Sequence, residues 1–174
     1  MSPEPGVPPV DPLRNRGQFH RGFTALLRTK AFRWIAMNGA ALIDPFLLKV
    51  TRGRISTALT LPVANLITTG AKSGLRRAAA VLYFTDGDDV ILIASSFGRD
   101  KHPGWYHNLK VHPEATLVSD GRSGRYRAVE VDEDDERKRL FALVDRVYGG
   151  YADYRERASQ IGRRIPIMRL HSIT

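Results

Sequence analysis

The chain holds 174 residues, one domain's worth, and its 43% hydrophobic and 26% charged content is that of a folded globular protein, not a disordered or fibrous one. It has no cysteine, which excludes a disulfide framework, zinc ribbons, iron–sulfur clusters and thiol nucleophiles and fits a reducing compartment. The net charge of +9 is concentrated in residues 1–60, where nine Lys/Arg stand against three Asp/Glu. No apolar run approaches the ~18 residues of a membrane span. The N-terminal MSPEPGVPPVDPL has proline and acid where a secretory signal needs a basic start and an apolar stretch. The expectation is a cytoplasmic protein, or one attached to the cytosolic membrane face from outside the lipid core. Few aromatics interleave with the charges, so nucleic acid is not the expected partner; a basic arm facing anionic lipid is the other reading.

In chain order, residues 1–17, with five prolines, read as a flexible leader. Residues 18–60 read as helical. Phe19, Phe23, Leu26, Leu27, Trp34 and Met37 fall on one side of a helical wheel, Asn38-Gly39 interrupts, and Asp44-Pro45 starts a second helix that stops at Gly53. Two helices packed on a core is one reading; an amphipathic helix lying on a membrane, with Trp34 and the arginines at the interface, is the other. From residue 61 the texture turns to strands: Val63–Thr69, Arg77–Thr85 closed by Asp86-Gly87-Asp88, Val90–Ser95, Ala115–Ser119, and Gly124–Val131 after an Asp120-Gly121 hairpin turn. A short helix is predicted over Pro103–Val111. Asp132 is predicted to cap a helix with Leu140, Phe141, Val144 and Val147 as its buried stripe. A polar helical piece, Tyr151–Gln160, precedes a last strand, Ile165–Leu170. The fold class is therefore α+β: a small antiparallel barrel of about six strands over residues 61–174, with flanking helices.

Several catalytic signatures are missing. Gly70-Ala71-Lys72-Ser73-Gly74 lacks the adjacent Gly-Lys of a phosphate loop and joins two strands, and no G-x-S-x-G elbow occurs. His102, His107 and His112, spaced by five, make a poor metal face, so no metal site is expected. What remains is Thr68-Thr69-Gly70-Ala71-Lys72-Ser73-Gly74-Leu75-Arg76-Arg77. This turn gathers backbone N–H groups, hydroxyls and three cations, as an anion-binding concavity does; a solvated basic hairpin loop has the same composition. A second cluster, Ala94–Leu109, runs from a strand end through Ser95, Ser96, Gly98 and Lys101 into an aromatic helix. There a flat ring can lie against backbone at Ser95–Phe97 while Lys101 meets a phosphate. Trp105 serves equally well as a core anchor.

Taken together, Thr-Thr-Gly-x-Lys-Ser-Gly-x-x-Arg, Leu82-Tyr83, Asp86-Gly87-Asp88, Ala94-Ser95, Lys101-x-Pro-x-Trp-Tyr-x-Asn-Leu109, Tyr148-x-x-Tyr151-x-Asp153-Tyr154 and Arg164-Ile165-Pro166-Ile167 resemble the deazaflavin-dependent nitroreductase family in order and spacing. The resemblance implies a split β-barrel, often a dimer, that binds coenzyme F420 and transfers a hydride from the reduced coenzyme to a small, apolar, electron-poor acceptor: a quinone, enone or nitroaromatic. By position, Lys72, Ser73, Gly74 and Arg77 would hold the coenzyme's phosphate and acidic tail, with Lys101 assisting. Ser95 and Ser96 would face the deazaflavin ring, and Pro103, Trp105, Tyr106 and Asn108 would shape its wall. Tyr83, Tyr148, Tyr151 and Tyr154 would line the acceptor pocket, with Ser95 or Tyr151, or else solvent, passing the proton. Gly149-Gly150 departs from the family's usual proline-containing link between these tyrosines. The basic N-terminal helix suggests a membrane quinone as acceptor. The rival readings are an FMN enzyme of the same fold and a non-catalytic protein that holds the cofactor or a lipid-like ligand.

Overall fold

A computed structural model of the chain describes residues 6–14 and 61–173. The helical region expected at 18–60, with the membrane contact expected of it, lies outside the described residues.

Six strands close a barrel in the order β1-β2-β3-β6-β5-β4, with β4 returning to β1. They are β1 (Val63–Thr69), β2 (Arg76–Asp86), β3 (Asp89–Ile93), β4 (Glu114–Ser119), β5 (Arg122–Glu130) and β6 (Ile167–Ser172). Three helices are interposed: α1 (Gly104–Val111), α2 (Asp134–Val147) and α3 (Gly150–Gln160). The strand expectations hold within about two residues. The largest difference is at Ala94-Ser95, which leave the sheet because Ser96 and Phe97 turn into left-handed backbone, φ 49° and 56°. Glu133, not Asp132, caps α2: its carboxylate accepts from the N–H groups of Asp135 and Glu136.

Every strand pair is antiparallel. One rim of the barrel therefore collects the ends of β1, β3 and β5 with the starts of β2, β4 and β6. Alternation sends Leu66, Val81, Tyr83, Leu92, Leu117 and Tyr126 inward. The opposite faces of β2, β3 and β6 carry Phe84, Ile91, Ile93 and Ile167, which pack under Leu140, Val144 and Val147 of α2 and the tyrosines of α3. These strands are covered on both faces, so their sequences read as nearly continuous apolar runs. β5 alternates cleanly instead, burying Gly124, Tyr126 and Ala128 while Arg125, Arg127 and Val129 face water. Helix α1 caps the first rim, with Leu109 fully buried in the barrel interior and Trp105 and Tyr106 packed beside it.

The other rim is closed by residues 6–10, part of the segment expected as a leader. Gly6 N–H donates to Ser123 O at 3.1 Å, Val7 N–H to the Tyr126 hydroxyl at 3.0 Å and Val10 N–H to Thr85 Oγ1 at 3.0 Å. Val7 is buried in the barrel mouth. Prolines at 8 and 9 pre-set an extended backbone, so docking this strap loses little conformational freedom. The strap passes so close that a Cβ on Gly124 would stand 2.7 Å from Gly6 Cα.

Tyr83 belongs to this end. It is almost fully buried and its hydroxyl donates to Pro8 O at 3.0 Å, at the opposite end of the barrel from the Lys72–Arg77 turn. Tyr83→Phe is expected to lower unfolding stability by about 1 kcal/mol, read by chemical denaturation, while leaving coenzyme affinity within about twofold.

Candidate functional site

The first rim brings together the two sequence clusters. At the β1–β2 turn, Gly70 N–H donates to Leu75 O and Gly74 N–H to Gly70 O, both at 2.8 Å. Gly74 takes φ +66°, which a side chain would disfavour, and Gly70 leaves room for Ser73, whose Oγ lies 2.6 Å from where a Cβ would stand. Thr68 and Arg77 are cross-strand partners, as are Thr69 and Arg76.

Asn108, on α1, ties this turn to the helix. Its Oδ1 accepts from Ala71 N–H and its Nδ2 donates to Thr68 Oγ1, both at 2.9 Å. The residue expected to form a wall for the coenzyme thus acts on the turn that would hold the tail. Pro103 is the N-cap of α1 with extended backbone, and Trp105 is half-buried against the barrel core. Tyr106 donates its hydroxyl to Glu130 Oε2 at 3.0 Å, beside Lys110 Nζ at 2.9 Å. Burial works against the Glu130 charge, but those two donors outweigh it and hold the carboxyl below its ordinary range.

The loop from Ala94 to His102 forms the second wall. Ser95 is buried, its N–H turned back to Ile93 O at 2.9 Å, and Gly98 (φ +76°) lets α3 approach until a Cβ there would meet Tyr154 O at 3.1 Å. Arg157 donates to Phe97 O at 3.2 Å and lies over the Tyr154 ring, while Phe97 meets that ring edge-on at 5.8 Å. Arg163 donates to the carbonyls of Ala94, Ser95 and Arg99 and to His102 Nδ1. Sequence reasoning missed Arg157 and Arg163. The only local signal was the helix-ending Gly162, and the arginines' partners lie some sixty residues away in the chain.

Tyr148, Tyr151 and Tyr154 stack mutually at centroid distances of 5.7–6.2 Å. All three are buried, and Gly150 makes this possible: a Cβ there would fall 2.3 Å from the Tyr148 ring. The Gly149-Gly150 link therefore replaces a proline-containing one with a slot for an aromatic ring. Burial pushes the Tyr151 and Tyr154 hydroxyls well above the ordinary phenol range. In this closed cluster Tyr154 is the ring that touches the Ser95–Gly98 loop, through Phe97; Tyr151 contacts its two neighbouring tyrosines.

The electrostatics of the rim are one-sided. Lys72, Arg76, Arg77, Arg99 and Lys101 are exposed and have no anionic partner among the described residues. The acids of the same rim are already engaged, Glu114 by Arg125 and Arg127 and Glu130 by Lys110, while away from it Arg155 grips Asp145, and Arg139 and Arg169 share Asp86 and Glu136. Cations left unneutralised around a formed turn, next to a loop of turned backbone, fit an anionic ligand with a flat head.

A six-stranded antiparallel barrel with such a rim fits a split-barrel redox protein of the deazaflavin type. The chain belongs to the F420H(2)-dependent quinone reductase family, whose model matches residues 46–171. It is 35% identical over 122 residues to an F420H(2)-dependent quinone reductase of Mycobacterium tuberculosis, covering 68% of this chain and 80% of that protein. Among solved structures it is similar to an F420-H2 dependent reductase at 29% identity and TM-score 0.56, over 63% of this chain and 94% of that one. Another, described as a domain-swapped dimer, matches at 29% identity and TM-score 0.57, over 63% of this chain and 80% of that one. No helix among the described residues is long and apolar enough to cross a membrane.

His102 gives a pH test of the loop. Burial, then Arg163 and His107, press its pKa below the ordinary 6.5. Above pH 6.5 the ring is neutral folded or unfolded. Below it the unfolded chain takes up a proton that the folded protein resists, so stability falls as pH drops from about 6.5 through the lower folded value. His102→Gln is expected to flatten that part of the stability profile, and ring titration by NMR should place the His102 midpoint below 6.5.

Proposed function

We propose that this protein is a reductase that binds coenzyme F420 at the Lys72–Arg77 turn and the Ser95–Gly98 loop and reduces a quinone there. The observation that carries this reading is the set of unpaired cations on the rim where both loops meet, in a chain whose relatives are named for that coenzyme and acceptor. When bound, the reduced coenzyme supplies a hydride. The chain itself supplies position and charge. Lys72, Arg77 and Lys101 attract the anionic tail, with Arg76 beside them, and the Gly70–Gly74 backbone and Ser73 hydroxyl give it a formed seat. The turned backbone at Ser95-Ser96-Phe97 offers a flat ring an edge without a bulky side chain in the way.

Phe97 and Tyr154 border the acceptor side, with Tyr148 and Tyr151 behind them, and this apolar surface suits a quinone. The packing of α3 against Gly98 shields that side of the loop from water, while the rim stays open to it. The proton needed by the reduced quinone is assigned to solvent at the rim or to the Ser95 hydroxyl. The raised Tyr151 hydroxyl, enclosed by Tyr148 and Tyr154, is poorly suited to give one up in this conformation. A homodimer is proposed on the likeness to the domain-swapped structure.

Equilibrium dialysis against coenzyme F420 and FMN tests the reading. The deazaflavin coenzyme, with its polyanionic tail, is expected to bind with an affinity that declines as salt is added. Lys72→Ala and Arg77→Ala are each expected to weaken it about fivefold, roughly 1 kcal/mol for one partly exposed charge contact. Unchanged affinity in both variants, or binding indifferent to salt, would contradict the assignment.

A further inference from the structure

We infer that Arg163 is the positioning residue of this site: from the segment after α3 it holds the Ala94–His102 loop in the shape that receives the coenzyme's ring. This rests on the reading that the rim is the coenzyme seat, and adds to it a residue that touches neither coenzyme nor acceptor.

The argument starts from the loop's backbone. Ser96 and Phe97 both sit in left-handed conformation, φ 49° and 56°, although neither is glycine. Two such residues in succession are disfavoured and persist only where their surroundings over-determine them. Arg163 brackets the pair. Before it, Nη2 donates to Ala94 O at 2.6 Å and Nη1 to Ser95 O at 2.9 Å; after it, Nη1 donates to Arg99 O at 2.6 Å and Nε to His102 Nδ1 at 3.1 Å. Four acceptors spread over nine residues converge on one planar group. A guanidinium has five N–H donors in a fixed fork, whereas a lysine ammonium presents three from a single atom, so lysine cannot hold both ends of the loop at once.

The side chain is aimed by the end of α3. Gly162, at φ +66°, closes the helix with its N–H on Ser159 O at 3.0 Å, and Arg163 N–H returns to Ala158 O at 2.8 Å. The same helix carries Tyr151 and Tyr154, and Arg157 adds the bond to Phe97 O between the two bracketed ends. The acceptor-side helix and the coenzyme-side loop are thereby one unit. The next residue, Arg164, is the natural control: it is exposed and engages Asp134 and the Asp132 carbonyl instead.

The test compares the full-length protein with Arg163→Lys, Arg163→Ala, Arg164→Ala and Lys72→Ala. Readouts are equilibrium dialysis against oxidised coenzyme F420, steady-state quinone reduction, and circular dichroism as the check on folding. Folded Arg163→Lys and Arg163→Ala are expected to bind the coenzyme at least tenfold more weakly. Coenzyme KM should rise while quinone KM stays within twofold, and millimolar guanidinium should recover at least threefold of the loss in Arg163→Ala alone. Arg164→Ala should stay within twofold throughout. A folded Arg163 variant with wild-type coenzyme affinity overturns the inference. So does failure of both Arg163 variants to fold, which would make the residue a general support of the fold. If Lys72→Ala weakens binding while Arg163→Lys does not, this inference alone falls. If the wild-type protein does not bind the coenzyme, the functional reading falls with it.

Discussion

Antiparallel closure is the constraint from which the site follows. With every neighbouring pair of strands running in opposite directions, the β1–β2 turn, the loop after β3 and the start of β4 have no choice but to share one rim. Closure alone brings loops to the same end; it does not fix their distance. That is done by polar side chains at the rim: the Asn108 amide between Ala71 and Thr68, the Tyr106–Glu130–Lys110 group, and the arginines reaching in from α3. A half-buried amide satisfied at both ends is a specific device, since loss of either partner leaves a partly dehydrated polar group unpaired.

The two rims divide stability from chemistry. The far rim is sealed by the proline-rich strap, with Val7 in the barrel mouth and the hydroxyls of Tyr83, Thr85 and Tyr126 bonded to the strap's backbone. The near rim leaves five cations, Lys72, Arg76, Arg77, Arg99 and Lys101, without an anionic partner among the described residues. Like charges gathered without partners repel, and a protein that retains them gives up some stability to hold a ligand of opposite charge. The acidic residues are already engaged: Asp86 and Glu136 are held below their ordinary pKa by Arg139 and Arg169 away from the turn, and Glu114, at the near-rim start of β4, by Arg127 and Arg125.

Much of this was legible in the amino-acid order, and the parts that were not share a cause. Val63–Thr69 and the Asp120-Gly121 turn are written in local chemistry, β-branched residues and a turn dipeptide, and they stand where the pattern puts them. The clustering of Lys72, Arg76 and Arg77 was equally local. The docking of residues 6–10 was not, because a proline-rich segment looks alike whether solvated or laid across a barrel mouth; only Gly124, more than a hundred positions away, makes room for it. The strap contact of Tyr83 was illegible for a related reason. Strand alternation says that it points opposite to Leu82, but not which face of a strand buried on both sides meets a ligand. Arg163 and the slot that Gly150 opens for Tyr148 depend on contacts that exist only after α3 has packed.

The most direct test is a crystal structure of the protein with oxidised coenzyme F420. The account predicts the anionic tail within hydrogen-bonding distance of the Gly70–Arg77 turn and the ring system against the backbone of Ser95–Phe97, with the Arg163 bonds intact. A coenzyme bound at the strap end near Pro8, or along the barrel wall away from the cationic turn, would contradict it.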